Sequence, residues 1–283
     1  MSKTERYAHR LEPGDRVALD QYDPADTADL EKDEGRKLLQ ALDAELAELQ
    51  ELLYAAGQQS VLLLLQGMDT SGKDGTIKRV LKEVNPAGCQ IVTFKQPTEE
   101  ELAHDFLWRV HAKVPKRGFL GVFNRSHYED VLVVRVHELA PEKVWRARYW
   151  QINDFERLLA DTGTILIKCF LHISKEEQKE RLLAREEDVT KAWKLAPDDW
   201  VERRSWDEYI AAYEDALHEC GTPWAPWHII PADKKWFRNV AVAQLLVEAL
   251  RPYKEGWLAH LDALGKEQLA AITEVREHRD EES

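Results

Sequence analysis

The chain has 283 residues, of which 39 are Lys or Arg and 52 Asp or Glu, giving a formal net charge of −13. That length holds one α/β domain with appendages or two small ones, and the acidity argues against a general binder of nucleic acid or of anionic membranes. The three cysteines, Cys89, Cys169 and Cys220, have neither zinc spacing nor a disulfide framework. With a polar N-terminus and no apolar run of spanning length, the expectation is a soluble, cytoplasmic protein without membrane or nucleic-acid partners.

In chain order, residues 1–32 carry Pro, Gly and Asp without periodicity and read as an extended arm. A helix is predicted over 33–56, because Leu38, Leu42, Leu46, Leu49 and Leu53 recur at three- and four-residue steps and Gly57 stands where a C-cap belongs. Its apolar stripe suits either the core or a second subunit. The run from Val61 to Leu65 reads as a buried strand and 76–82 as a helix. Further strands are expected at 90–94, 119–123, 164–173 and 227–231. Between them lie a helix opened by a capping box at Thr98 and Glu101 and running to 114, and another over 144–160. Two more capping boxes are read at Ser174 with Glu177 and at Ser205 with Glu208, and a last helix follows the fifth strand. Strands separated by helical crossovers imply a parallel sheet of about five strands covered on both faces. The organisation read is an arm and amphipathic helix over 1–56, a core over 57–262 with a lid at about 175–205, and a charged, frayed tail over 263–283.

Between the first strand and its helix lies Gly-x4-Gly-Lys, from Gly67 through Asp69, Thr70, Ser71 and Gly72 to Lys73. Glycines let successive backbone N–H groups turn inward on phosphate oxygens, the helix N-terminus adds partial positive charge and Lys73 a full one. Asp74 stands where Ser or Thr usually follows the lysine to ligate Mg²⁺. Asp74 reads as a cap of the following helix, and Asp69 inside the loop either takes over metal duty as a hard oxygen ligand or is solvated.

A second polar cluster, Asn124, Arg125, Ser126, His127, Tyr128, Glu129 and Asp130, follows the third strand at its carboxyl end, where open α/β sheets bind ligands. Arg125 is placed to grip two phosphate oxygens at once. His127, beside Tyr128, reads as a hydrogen-bonded structural group rather than a base. Arg181 and Arg185, four apart, share a helix face, and Lys191 and Lys194 follow in a loop. Together they suit a lid that brings cations over bound phosphates. Phe94, Lys95, Pro97 and Thr98 end the second strand, where Phe94 or Pro97 can clamp a base.

Taken together these stretches resemble the polyphosphate kinase 2 family in its class III form. The likeness runs from the helix end at 48–54 to Ala232 and rests on 67–75, 94–98, 124–130 and 191–194 in combination. The resemblance implies a P-loop kinase fold of three α/β/α layers, like thymidylate kinase, with a helical lid. It also implies phosphoryl transfer between inorganic polyphosphate and AMP, ADP or ATP, dependence on Mg²⁺ or alternatively Mn²⁺, and a homo-oligomer, a tetramer. Glu129 matches the class III residue associated with accepting nucleoside monophosphates. On that footing Lys73, the loop from Gly67 to Asp74, Arg181, Arg185, Lys191 and Lys194 hold polyphosphate, and Asp69 holds the metal. Phe94, Lys95, Pro97, Thr98, Asn124 and Glu129 serve the nucleotide, and Arg125 bridges the two. The competing readings are an ATP-donor small-molecule kinase and a non-enzymatic nucleotide-binding module.

Overall fold

The computed structural model describes residues 7–187 and 197–281. Its strands are β1 (His9–Arg10), β2 (Ser60–Gln66), β3 (Cys89–Thr93), β4 (Leu120–Asn124), β5 (Thr164–His172) and β6 (Trp227–Pro231). The helices are α1 (Lys32–Ala56), α2 (Lys73–Val80), α3 (Glu99–Leu102), α4 (Trp108–His111), α5 (Val133–Val136) and α6 (Glu142–Asp161). They continue with α7 (Lys175–Glu187), α8 (Pro197–Glu202), α9 (Trp206–Glu219), α10 (Lys235–Leu250) and α11 (Lys254–Glu281).

The strands form one sheet in the order β1-β6-β5-β2-β4-β3. β2 to β6 are parallel, and β1 joins the β6 edge antiparallel, His9 opposite Ile229. The expected five parallel strands are present. The sixth comes from the arm, whose Tyr7, Ala8, Leu11 and Leu19 are buried in the common core. β2 is buried along its whole length, as a central strand covered on both faces must be. It lies between β4 and β5, with Leu65 beside Asn124 and Gln66 beside Phe170. That register sets the loop after β2 against the loop after β4 at the switch point of the sheet.

The leucine stripe of α1 faces its own chain. Leu42, Leu46, Leu49 and Leu53 are buried, and the helix packs on α10 and α11. Burial of each leucine contributes about 1.5–3 kcal/mol. Gly35 lets the two helices approach, since a Cβ there would stand 2.4 Å from the Trp236 ring. Gly57 closes α1 in the left-handed conformation, its N–H on the Leu53 carbonyl.

Four local expectations need correction. The helix from Thr98 to 114 is two short helices, because Asp105 accepts from the Leu107 amide and turns the chain between them. The capping box at Thr98 is complete, and Ser174 accepts from the Glu177 amide, but the Glu177 carboxylate goes to Arg181. At Ser205 no capping box forms. The preceding 3₁₀ turn, Arg203–Ser205, leaves it at φ −89°, ψ 27° rather than the extended backbone a cap requires. The tail is helical within α11, whose Leu269, Ile272 and Val275 are exposed. Strong helix formers sustain it without a core. Among the described residues no helix is long and apolar enough to cross a membrane.

Candidate active site

The loop after β2 turns through Gly67 (φ 148°), Thr70 (φ 64°) and Gly72 (φ 103°) into α2. Gly72 is the N-cap of α2, so Asp74 lies in its first turn and accepts from the Asn124 side-chain amide at 2.7 Å. Lys73 is buried, its Nζ donating to the carbonyls of Gly67 (2.7 Å) and Met68 (3.3 Å). Burial lowers its pKa, with the carboxylate of Asp69 opposing. The charge therefore stands in a place that a phosphate would favour.

The loop after β4 is tied to this one. The Arg125 amide donates to the Leu65 carbonyl, and Gln66 Nε2 donates to Ser126 Oγ. Arg125 itself has φ 62°, a strained backbone for a residue with a side chain, of the kind that persists at functional sites. Its Nη2 donates to Asp69 Oδ1 at 2.6 Å and its Nη1 stands 3.7 Å from Glu129. Burial works against that charge, but the carboxylates of Glu129 and Asp69 outweigh it and raise the pKa. Burial raises the pKa of Glu129, against the pull of Arg125 and Lys73.

Two cavities meet at the Asp69–Arg125 pair, and both residues line each of them. The larger, ≈ 710 Å³, runs past Gly72, Lys73, Asp74, Thr93 and Asn124 to Arg185 on α7 and to Lys235 and Arg238 on α10. The smaller, ≈ 30 Å³, lies on the Glu129 side, among Val133, Gln178, Glu202, Tyr209 and Tyr213. Glu202 closes it by accepting from Tyr209 (2.6 Å) and pairing with His137 (2.9 Å).

Not every expected residue reaches this cleft. Arg181 borders it, but its donors are committed: Nε to Glu177, Nη1 to the carbonyls of Thr70 and Ser71, Nη2 to those of Ala232 and Asp233. A guanidinium has five N–H groups, and through these contacts Arg181 clamps the phosphate loop to the residues just after β6. Arg181→Lys is expected to cost about 2–4 kcal/mol in a urea titration, since three donors cannot serve those carbonyls. Arg185 lines the cleft while paired with Asp199. Lys191 and Lys194 lie outside the described residues.

Phe94 lies in the core and lines neither cavity. It is buried edge-on to Phe123 with the Arg109 guanidinium over its ring. Thr98 is spent on its cap, Lys95 offers its carbonyl to Arg109, and neither they nor Pro97 line the two cavities. His127 is buried on Glu156, as a structural group. Glu156 also accepts from Tyr128 (2.8 Å) and Lys168 (2.6 Å), a buried network under the turn that carries Glu129. Arg238, Lys235, Tyr209 and Tyr213 escape the sequence reading. Their one signal is spacing: the tyrosines are four apart on α9, and the cations open α10.

Glu129→Gln separates charge from volume. With its carboxyl pKa raised, the folded chain holds a proton that the unfolded chain has released, so stability falls as pH rises through that window. Glu129→Gln is therefore expected to unfold at higher urea than the parent at neutral pH. The gap should close below the ordinary carboxylate range.

Sequence comparison then gives a family. A profile described as Polyphosphate kinase 2 (PPK2) matches residues 29–256. An AMP/ADP-polyphosphate phosphotransferase of Meiothermus ruber is 52% identical over 244 residues, covering 86% of this chain and 91% of that one. An ADP-polyphosphate phosphotransferase of Rhodopseudomonas palustris is 40% identical over 280 residues, covering 94% and 96%. The crystal structure of Polyphosphate Kinase 2 from Arthrobacter aurescens TC1 is similar at a TM-score of 0.83, with 47% identity over 86% of this chain and 87% of that one.

Proposed function

The chain belongs to the polyphosphate kinase 2 family, and from that premise we propose that it moves the terminal phosphoryl group of inorganic polyphosphate to AMP, giving ADP, and to ADP, giving ATP. The observation that carries this reading is the position of the Asp69–Arg125 pair, common to both cavities. A donor lying along Gly72 and Lys73 and an acceptor arriving from the Glu129 side would meet there.

The chemistry asks little of a base, because the attacking oxygen of a nucleotide's terminal phosphate is already ionised. It asks for alignment and for neutralisation of charge on the moving group. The loop amides and Lys73 hold the donor's terminal phosphates, and Arg125 spans the phosphoryl group in flight. Its Nη2, now on Asp69, is the donor that a phosphate oxygen would take over. Room for a nucleotide beside Glu129 requires α8 to move, since the small cavity holds little more than a water.

A divalent cation fits this donor set. Asp69 is partly exposed in the cleft and gives one oxygen to Arg125, and Mg²⁺ is commonly held by one or two carboxylates together with substrate phosphates and water. Among the described residues no group of three His, Cys, Asp or Glu could hold a metal, so Asp69 with phosphate oxygens is the set proposed. When bound, Mg²⁺ would supply neutralisation of phosphate charge. Glu129, within reach of Arg125, is proposed to order the acceptor end when the acceptor is the shorter AMP.

The test is product analysis by ion-exchange chromatography with AMP and ADP supplied separately, polyphosphate in excess and Mg²⁺ present. ADP followed by ATP from AMP, stopped by a chelator, is the expected result. ATP from ADP with nothing from AMP would remove the role given to Glu129. No product from either nucleotide would refute the function.

A further inference from the structure

The N-terminus of α10 presents an unusual charge arrangement. Its cap is Lys234, its first turn begins with Lys235 and contains no acidic residue, and Arg238 follows one turn in. Cations at the positive end of a helix oppose the macrodipole, which favours anions there. The neighbouring carboxylate of Asp233 accepts from the Ser174 amide instead.

The second observation is the side chain of Arg238 itself, whose burial and partners do not follow from the charge at the helix end. Only 3% exposed, it lies against the phosphate loop so closely that a Cβ on Gly72 would overlap its guanidinium. Nη1 donates to the Ser71 carbonyl (3.0 Å) and Nη2 to Asn239 Oδ1 (3.1 Å), while the buried Nε has no partner among the described residues. The other arginines of the cleft are each ion-paired: Arg125 with Asp69, Arg181 with Glu177, Arg185 with Asp199. Among the described residues Arg238 is held on a carbonyl and an amide oxygen. Burial, and then the charge of Arg181, push its pKa down to about 9. A buried, under-satisfied cation at a cleft wall is costly unless a ligand anion completes it.

We propose that Arg238 and the first turn of α10, with Lys235, form a subsite for the phosphates of the donor chain that are not transferred, next along the chain from those held by Lys73. This rests on the reading of polyphosphate as donor. Consecutive phosphates would pass from the loop amides to the Arg238 guanidinium and then to the α10 terminus, both lining the same cleft wall. The subsite would select for a linear polyanion, because on the α10 side the wall carries Lys235 and Arg238 rather than an apolar slot for a base. Two of the carboxylates that also line the cleft, Glu177 and Asp199, are paired with Arg181 and Arg185, and Glu180 lines it as well.

The test compares the parent chain with Arg238→Gln and Lys235→Ala, using long-chain polyphosphate and tripolyphosphate as donors to AMP. Arg238→Gln is expected to raise KM for long-chain polyphosphate about ten- to a hundredfold, as loss of one or two charge-assisted hydrogen bonds would. KM for AMP should hold, and the turnover reached at saturating donor should fall far less than kcat/KM. Lys235→Ala, an exposed position, should raise KM for the long donor more than for tripolyphosphate. A merely structural Arg238 would instead change both donors and AMP alike, and that result overturns the proposal. So does an unaltered donor KM in Lys235→Ala, which decides the matter if Arg238→Gln does not fold. A parent chain inert toward polyphosphate refutes the donor reading itself, whereas an active parent with indifferent variants refutes only the subsite.

Discussion

Arg125→Ala is expected to lower kcat for phosphoryl transfer by about 10³–10⁵-fold, the range associated with a guanidinium that stabilises charge on a moving phosphoryl group. Its place supports so large an effect. Arg125 lines both cavities, is paired with Asp69 at 2.6 Å, and is held there by a backbone at φ 62°. The strained conformation separates catalysis from folding. Arg125→Gly removes the guanidinium and relieves the strain together, so it should be nearly as inactive as Arg125→Ala while unfolding at equal or higher denaturant. Arg125→Lys keeps the charge but loses the planar fork that reaches Asp69 and the Glu129 side at once, and little activity should return. Full activity in any of the three, measured under single-turnover conditions, would remove Arg125 from the mechanism.

Lys73→Met should lower kcat by about 10²–10³-fold or more, the cost of deleting a preorganised donor at developing charge. Stability should move the other way. Burial lowers the Lys73 pKa, so its charged form costs stability at every pH below the ordinary lysine range. Methionine fills much of the same volume without a charge, and the variant is expected to melt at or above the parent temperature. A dead enzyme that is more stable than its parent is the signature of a residue kept for binding phosphate. A Lys73→Met chain that is both unstable and inactive would mean that the ammonium is a structural strut for the carbonyls of Gly67 and Met68.

Much of this was legible where the signal is contiguous. The phosphate loop follows its strand directly, and the polar cluster after β4 is one unbroken run, so the sequence places both at strand ends. The register of β2 against β4 then brings them together, as a parallel sheet requires. What stayed hidden depends on contacts between distant segments. Arg238 touches Ser71 across a separation of 167 residues, and no local pattern marks it. The contacts of Arg181 are hidden for the same reason. It shares a helical face with Arg185, which suits a lid, and its donors go to carbonyls of the loop and of the residues just after β6. Phe94 directly follows β3, one residue past the cleft-lining Thr93, and its ring packs edge-on to Phe123 in the core. The α1 stripe could have met a partner or the core by its spacing alone. The choice was made by α10, whose Trp236 fits the gap that Gly35 leaves.

The most direct measurement follows the phosphorus itself: polyphosphate labelled with ³²P, unlabelled AMP and Mg²⁺, with no other phosphoryl donor present. Label is expected in the β-phosphate of ADP first and then in the γ-phosphate of ATP, and in neither with Arg125→Ala. Label released only as inorganic phosphate, or ADP that forms without label, would contradict that expectation.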